Sequence, residues 1–164
     1  MPLVAKKAAS DLKIRRYKVR VGAADPDENV TRSNGWGTTS KRRHIVLHSN
    51  ANGTPSCPAS VDDKGTQTYY VSATGHDLAD DLWDKIGFES PGVEDARSSD
   101  VINKAFYELT ATSAVAAYVE TEFHDWAGGV TWLKDYDTWA WRVGYAVDTH
   151  LGYPDAPPQP QRQP

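Results

Sequence analysis

His44-Ile45-Val46-Leu47-His48, followed by Ser49-Asn50-Ala51-Asn52-Gly53, decides how this chain is read. The run is short, mostly apolar and bounded by Arg43 and by turn-forming residues, the pattern of a strand buried in a parallel sheet. Two more runs resemble it: Gln67–Ala73, with Tyr69, Tyr70 and Val71, and Ala114-Val-Ala-Ala-Tyr-Val119, which ends at Glu120. Tyr17-Lys-Val19-Arg-Val21 alternates with period two and predicts a further strand. Helical spacing lies between the strands. It covers residues 2–16 (Leu3, Val4, Ala8, Leu12), a helix opened by Thr74-Gly-His-Asp77 and continued by Leu78, Leu82 and Ile86, then Ser99–Leu109, and finally Asp137–Leu151. Asp25–Asn29 reads as a turn, Thr31–Trp36 as a short helix and residues 53–66 as a loop. Strands alternating with helices predict an α/β fold, a mostly parallel twisted sheet flanked by helices on both faces in three layers.

A chain of 164 residues builds one domain with a real core and is too short for two. It contains no apolar run long enough for a membrane span and no secretory signal pattern, and its single cysteine, Cys57, excludes an internal disulfide. Eleven of the 18 Lys and Arg fall in residues 1–43, beside four of the 22 Asp and Glu. These cations are scattered over a helix, a strand and a loop without interleaved aromatics, which argues against a nucleic-acid surface. The Pro-rich end, residues 153–164, reads as a linker or disordered tail.

Ligands of open α/β sheets bind at the carboxyl ends of strands, and two polar residues stand there, His48 and Glu120. A carboxylate on a buried strand needs a partner or a function, because desolvating it alone costs several kcal/mol. An arginine such as Arg32, an imidazole or a metal would each serve. His44 competes with His48 for a ligand role, but four strand residues separate them by roughly 13 Å, too far for one zinc ion to take both. His76 and His124 fall in connections near the same edge, Glu122 is a rival acid if the strand continues in register, and His150 is expected to be solvated. The aromatic cluster Trp126, Trp132, Tyr136, Trp139 and Trp141 serves either packing or a platform for sugar rings.

The ordered set His44-Ile-Val-Leu-His48-Ser-Asn50-Ala51, Gly65-Thr-Gln-Thr-Tyr-Tyr70 and Val119-Glu120-Thr-Glu-Phe123 resembles the zinc-dependent N-acetylmuramoyl-L-alanine amidases of the amidase_3 type. Tyr17-Lys-Val19, Asp25 and Arg32 resemble an upstream strand, Asp and Arg of that family. The resemblance covers residues 2–152, which implies a catalytic domain over residues 1–152. It implies a peptidoglycan hydrolase that cleaves the amide between N-acetylmuramic acid and L-alanine, with zinc as cofactor, peptidoglycan as partner and a monomer as the expected state. Localisation would be extracellular, at the cell wall, or by phage release. His48 looks like a zinc ligand, Glu120 like the assisting catalytic acid, and Asn50 and Glu122 are candidates for substrate contact. The family's first two ligands have no counterpart here, nor does the strand that bears the first. The expectation is therefore an N-terminally incomplete domain that is weak or inactive. Position 122 is Glu where the family usually has Gly, and Gln67 stands where Glu is common. Two readings from other classes remain: a non-catalytic peptidoglycan-binding module that uses the Trp-rich segment, and a different metallopeptidase.

Overall fold

A computed structural model describes residues 2–37, 39–51, 65–91 and 100–153. The loop expected over 53–66 lies outside them except for its end, as do Cys57 and the tail from residue 154. Among the described residues the sheet contains β1 (Arg43–Asn50), β2 (Gln67–Tyr70), β3 (Val101–Asn103) and β4 (Val115–Phe123), in the order β1-β4-β2-β3. β1 runs parallel to β4 and β2 parallel to β3, while β2 and β4 are antiparallel. The helices are α1 (Pro2–Ile14), α2 (Pro26–Asn34), α3 (Ala73–Ile86), α4 (Tyr107–Ala111), α5 (Ala127–Lys134) and α6 (Tyr136–His150).

β4 alternates between two cores. Ala117 and Val119 face α1, α3 and α6 in the larger one, with Leu78, Leu82, Ile86, Trp139 and Val143 fully buried around them. Ala116 and Tyr118 face the smaller one, built with Tyr69, Phe106 and Leu109. Helices therefore cover both faces, as the sequence predicts. α1 docks on α6 through a polar clamp: Arg15 bonds Asp11 at 2.6 Å and also pairs with Asp148, which accepts the Tyr17 hydroxyl at 2.7 Å. Gly144 lets the two helices close, since a Cβ there would sit 2.1 Å from Asp11 Oδ2. Burial, followed by the hydrogen bond to Asp148, pushes the Tyr17 hydroxyl well above its usual range and keeps it a donor.

Three expectations need correction. Tyr17–Val21 keeps its alternation, with Tyr17 and Val19 half-buried, but joins no strand. Its side chains are spent elsewhere, Tyr17 on Asp148 and Arg20 over Trp36 at 4.9 Å. Ser99–Leu109 is not one helix, because the β-branched pair Val101-Ile102 extends alongside β2 and helix resumes only at Tyr107. The turn expected over Asp25–Asn29 is the start of α2, where Asp25 caps the amides of Asp27 and Glu28 and Pro26 occupies the first turn.

Removing one member of a buried ion pair strands the other, at a cost of about 3–5 kcal/mol. Asp148→Ala is expected to lower unfolding free energy by that order in urea denaturation, and a loss below about 1 kcal/mol would show that the clamp does not hold α1.

Candidate functional site

Parallel pairing of β1 with β4 sets His48 directly opposite Glu120, and antiparallel pairing of β2 with β4 sets Gln67 opposite the same Glu120. The His48 Nδ1 to Glu120 Oε2 distance is 3.1 Å. The Tyr118 phenol lies two residues back on the same face, and burial together with the nearby charge of Glu120 pushes it far above its usual range. Tyr69 donates to Gln67 Oε1 at 2.7 Å, and its hydroxyl is pushed up to about 12 by burial, then by the charges of Glu120 and Asp100. Glu120 thus meets an imidazole and a phenol, and the expected partnership with Arg32 is not formed. Arg32 pairs with Glu28 within α2.

Besides His76 with its chain neighbour Asp77, both open to solvent, three histidine–carboxylate pairs exist among the described residues, and exposure separates their roles. His44 with Glu108 has side chains 10% and 12% exposed, and His150 with Asp81 has 9% and 23%. His48 is 58% exposed while its partner Glu120 is 14% exposed. The first two pairs tie β1 to α4 and α6 to α3. Only the third combines a sheltered carboxylate with an imidazole open to a ligand. The expectation of a solvated His150 is therefore corrected.

The other candidates separate from this pair. His76 lies at the opposite end of the sheet, its ring edge-on to Tyr70 at 4.6 Å. His124 bonds Ser49 at 3.1 Å, on the opposite face of β1 from His48. Asn50 turns its side-chain oxygen to its neighbour's amide, Ala51 N, at 2.8 Å. Glu122 does not share the face of Glu120. The register breaks between His48 and Asn50, and Glu122 takes the left-handed conformation (φ 52°). Its side chain is fully buried, accepting the Gly65 amide at 3.1 Å where Gly65 itself has φ 97°. A residue in that conformation explains why glycine suits the position, and the glutamate here exchanges backbone ease for an anchor on the chain entering β2. Nothing in the spacing of the sequence signals this bulge. Of the aromatic cluster, Trp139 is buried in the core, Trp132 packs against it and Trp141 leans on Tyr145 at 5.4 Å, which is packing.

The described residues contain no group of three His, Cys, Asp or Glu side chains placed to hold a metal ion. The sequence matches no protein-family model, and no curated protein matches it. Solved structures do match. The catalytic domain of CwlV, an N-acetylmuramoyl-L-alanine amidase from Bacillus (Paenibacillus) polymyxa var. colistinus, aligns with a TM-score of 0.71 at 18% identity, covering 90% of this chain and 80% of that one. The chain has the fold of these amidase catalytic domains. The catalytic domain of the CD27L endolysin targeting Clostridia difficile gives 0.70 at 20% identity over 89% and 79% of the two chains. AmiC2 of Nostoc punctiforme, another N-acetylmuramoyl-L-alanine amidase, gives 0.69 at 17% over 91% and 81%.

Two outcomes follow from this geometry. Glu122→Gly gives up the bond to Gly65 but relieves a left-handed residue, terms of about 1–2 kcal/mol each and opposite in sign. Glu122→Ala gives up the bond and keeps the strain, so urea melts should place the alanine variant below the glycine variant by about 1–2 kcal/mol. The second outcome concerns pH. Burial holds His44 and His150 below their ordinary value of 6.5, against the pull of Glu108 and Asp81. The unfolded chain binds these protons at a pH where the folded chain does not, so stability falls as pH drops from 6.5 toward the lower folded values. A His44→Gln, His150→Gln double variant should flatten that slope in melts between pH 7.5 and 5.5.

Proposed function

We propose that this chain acts on peptidoglycan, at the amide joining the lactyl group of N-acetylmuramic acid to the L-alanine of the stem peptide. The observation that carries the reading is the exposed His48 imidazole set against the sheltered Glu120 carboxylate at the ends of two parallel strands, within the fold of amidase catalytic domains. Glu120 takes a proton from the attacking water and passes it to the leaving amine nitrogen, a transfer worth typically 10²–10⁴-fold. His48 holds that carboxylate in place by a hydrogen bond, beside the Tyr118 phenol.

Zinc would supply Lewis acidity and a water whose pKa falls to about 7. A catalytic zinc takes three protein donors, and the described residues bring one open imidazole whose Nδ1 already faces Glu120. That donor set does not fit a catalytic zinc, so no step is assigned to the metal. Without it the carbonyl lacks its electrophilic help, and we infer weak zinc binding and low turnover. Since the substrate lies outside the cytoplasmic membrane, the protein would act there, exported or released by a phage. A wall-binding module without catalysis is the second reading, favoured by the short donor set but not by Trp132, Trp139 and Trp141, which are committed to packing.

Glu120→Gln is expected to cut muropeptide hydrolysis at least about 100-fold while leaving muropeptide binding intact, and elemental analysis should find well under one zinc per chain. Stem peptides lacking the muramyl group should stay uncut. Tight one-to-one zinc with full activity would overturn the inferred donor deficit, and a Glu120→Gln variant as active as the parent would overturn the catalytic assignment.

A further inference from the structure

An aromatic shelf leads away from Glu120 along the smaller core. Tyr118, two residues before Glu120 on the same face, stacks on Phe106 at 4.8 Å with the rings 27° apart, and Tyr69 meets Phe106 edge-on at 4.9 Å. At the far end the Lys104 ammonium stands 4.6 Å from the Phe106 ring centre and 5.5 Å from that of Tyr69. Lys104 is exposed, and among the described residues no carboxylate pairs with it. A cation held over ring faces is oriented without being neutralised, so it stays available to an incoming anion. The opposite end of the shelf is His48, whose ring lies 5.9 Å from Tyr118.

We propose that Lys104, carried on the Phe106–Tyr118 shelf, is a specificity-determining contact for a free carboxylate on the peptide side of the substrate. Two ring spacings separate the ammonium from Tyr118, and an extended peptide advances about 3.5 Å per residue. The carboxylate therefore belongs to the second or third residue beyond the amide held at Glu120. Phe106 and Tyr118 supply the apolar floor beneath the intervening residue, and the ammonium rejects an uncharged carboxamide by leaving its own charge unpaired. The inference rests on the muramoyl-amide reading above and deepens it by naming the charge that the site selects.

The test uses the full chain and two probes that differ only in this group: N-acetylmuramoyl-L-alanyl-D-isoglutamine, with its free carboxylate, and the same molecule with that carboxylate amidated. Affinities are read from amide chemical-shift titrations. The parent chain should bind the carboxylate form about tenfold more tightly, Lys104→Met should bind both forms alike, and Lys104→Arg should restore the preference. Equal binding of the two probes by the parent, or a preference that survives Lys104→Met, would overturn the Lys104 contact and leave the muramoyl-amide reading standing. Binding of neither probe would overturn both.

Discussion

The parallel register of β1 on β4 is the constraint on which the rest depends. His48 and Glu120 lie 72 positions apart in sequence, and only the pairing of two strands brings them to 3.1 Å. The register is fixed by the core rather than by the pair itself. Ile45 and Leu47 pack against the same larger core as Ala117 and Val119. A slip of one residue would turn that apolar set to the other face and carry the histidine and glutamate into the core. A missing side chain matters as much as the apolar ones. Gly75 lets the first turn of α3 approach β4 so closely that a Cβ there would meet the Ala116 carbonyl at 2.7 Å. The chemistry at the strand end is thus a consequence of tight packing several residues upstream.

The same strand shows how a site is bounded. β4 could continue past Glu120 as a regular ladder, but the left-handed residue at Glu122 breaks the register, and pairing resumes only with Phe123 opposite Asn50, where the His124 amide bonds the Asn50 carbonyl at 3.0 Å. Bulges beside functional groups re-aim side chains, and here the bulge removes one of two nearby carboxylates from the face that bears His48. Two like charges on that face would oppose each other's ionisation. Burying Glu122 against the Gly65 amide leaves Glu120 as the acid between His48 and Gln67.

Much of the architecture was legible because it is written in local pattern. The strand at His44–His48, the helix with Leu78, Leu82 and Ile86, and the polar residues closing two apolar strands all follow from spacing and burial cost. The errors share a different origin. Tyr17–Val21 has the alternation of a strand, but alternation states only that one side is sheltered, and for Tyr17 helix α6 provides a partner in Asp148. Val101-Ile102 looked like part of a helix because its extended preference is satisfied by β2, thirty residues earlier. The inward turn of Glu122 depends on a backbone conformation that no spacing rule reports. His150 looked solvated from its place near the end of the chain, yet it meets an acid sixty-nine positions away. In each case the missing information was the identity of a distant partner.

Separating a functional histidine–acid pair from a structural one needs more than proximity. His44 with Glu108 and His150 with Asp81 place similar groups at similar distances to the pair at His48 and Glu120. In those two the imidazole and the carboxylate are both sheltered, burial disfavours the imidazole's charge, and the interaction is spent on joining secondary structure. In the third the carboxylate is sheltered likewise but the imidazole is open. An acid held by an imidazole keeps a fixed geometry, while the other edge of the exposed ring can meet an incoming ligand without the acid moving. That contrast of burial within one pair, rather than the residue types, is what singles out the ends of β1 and β4 for the site proposed above.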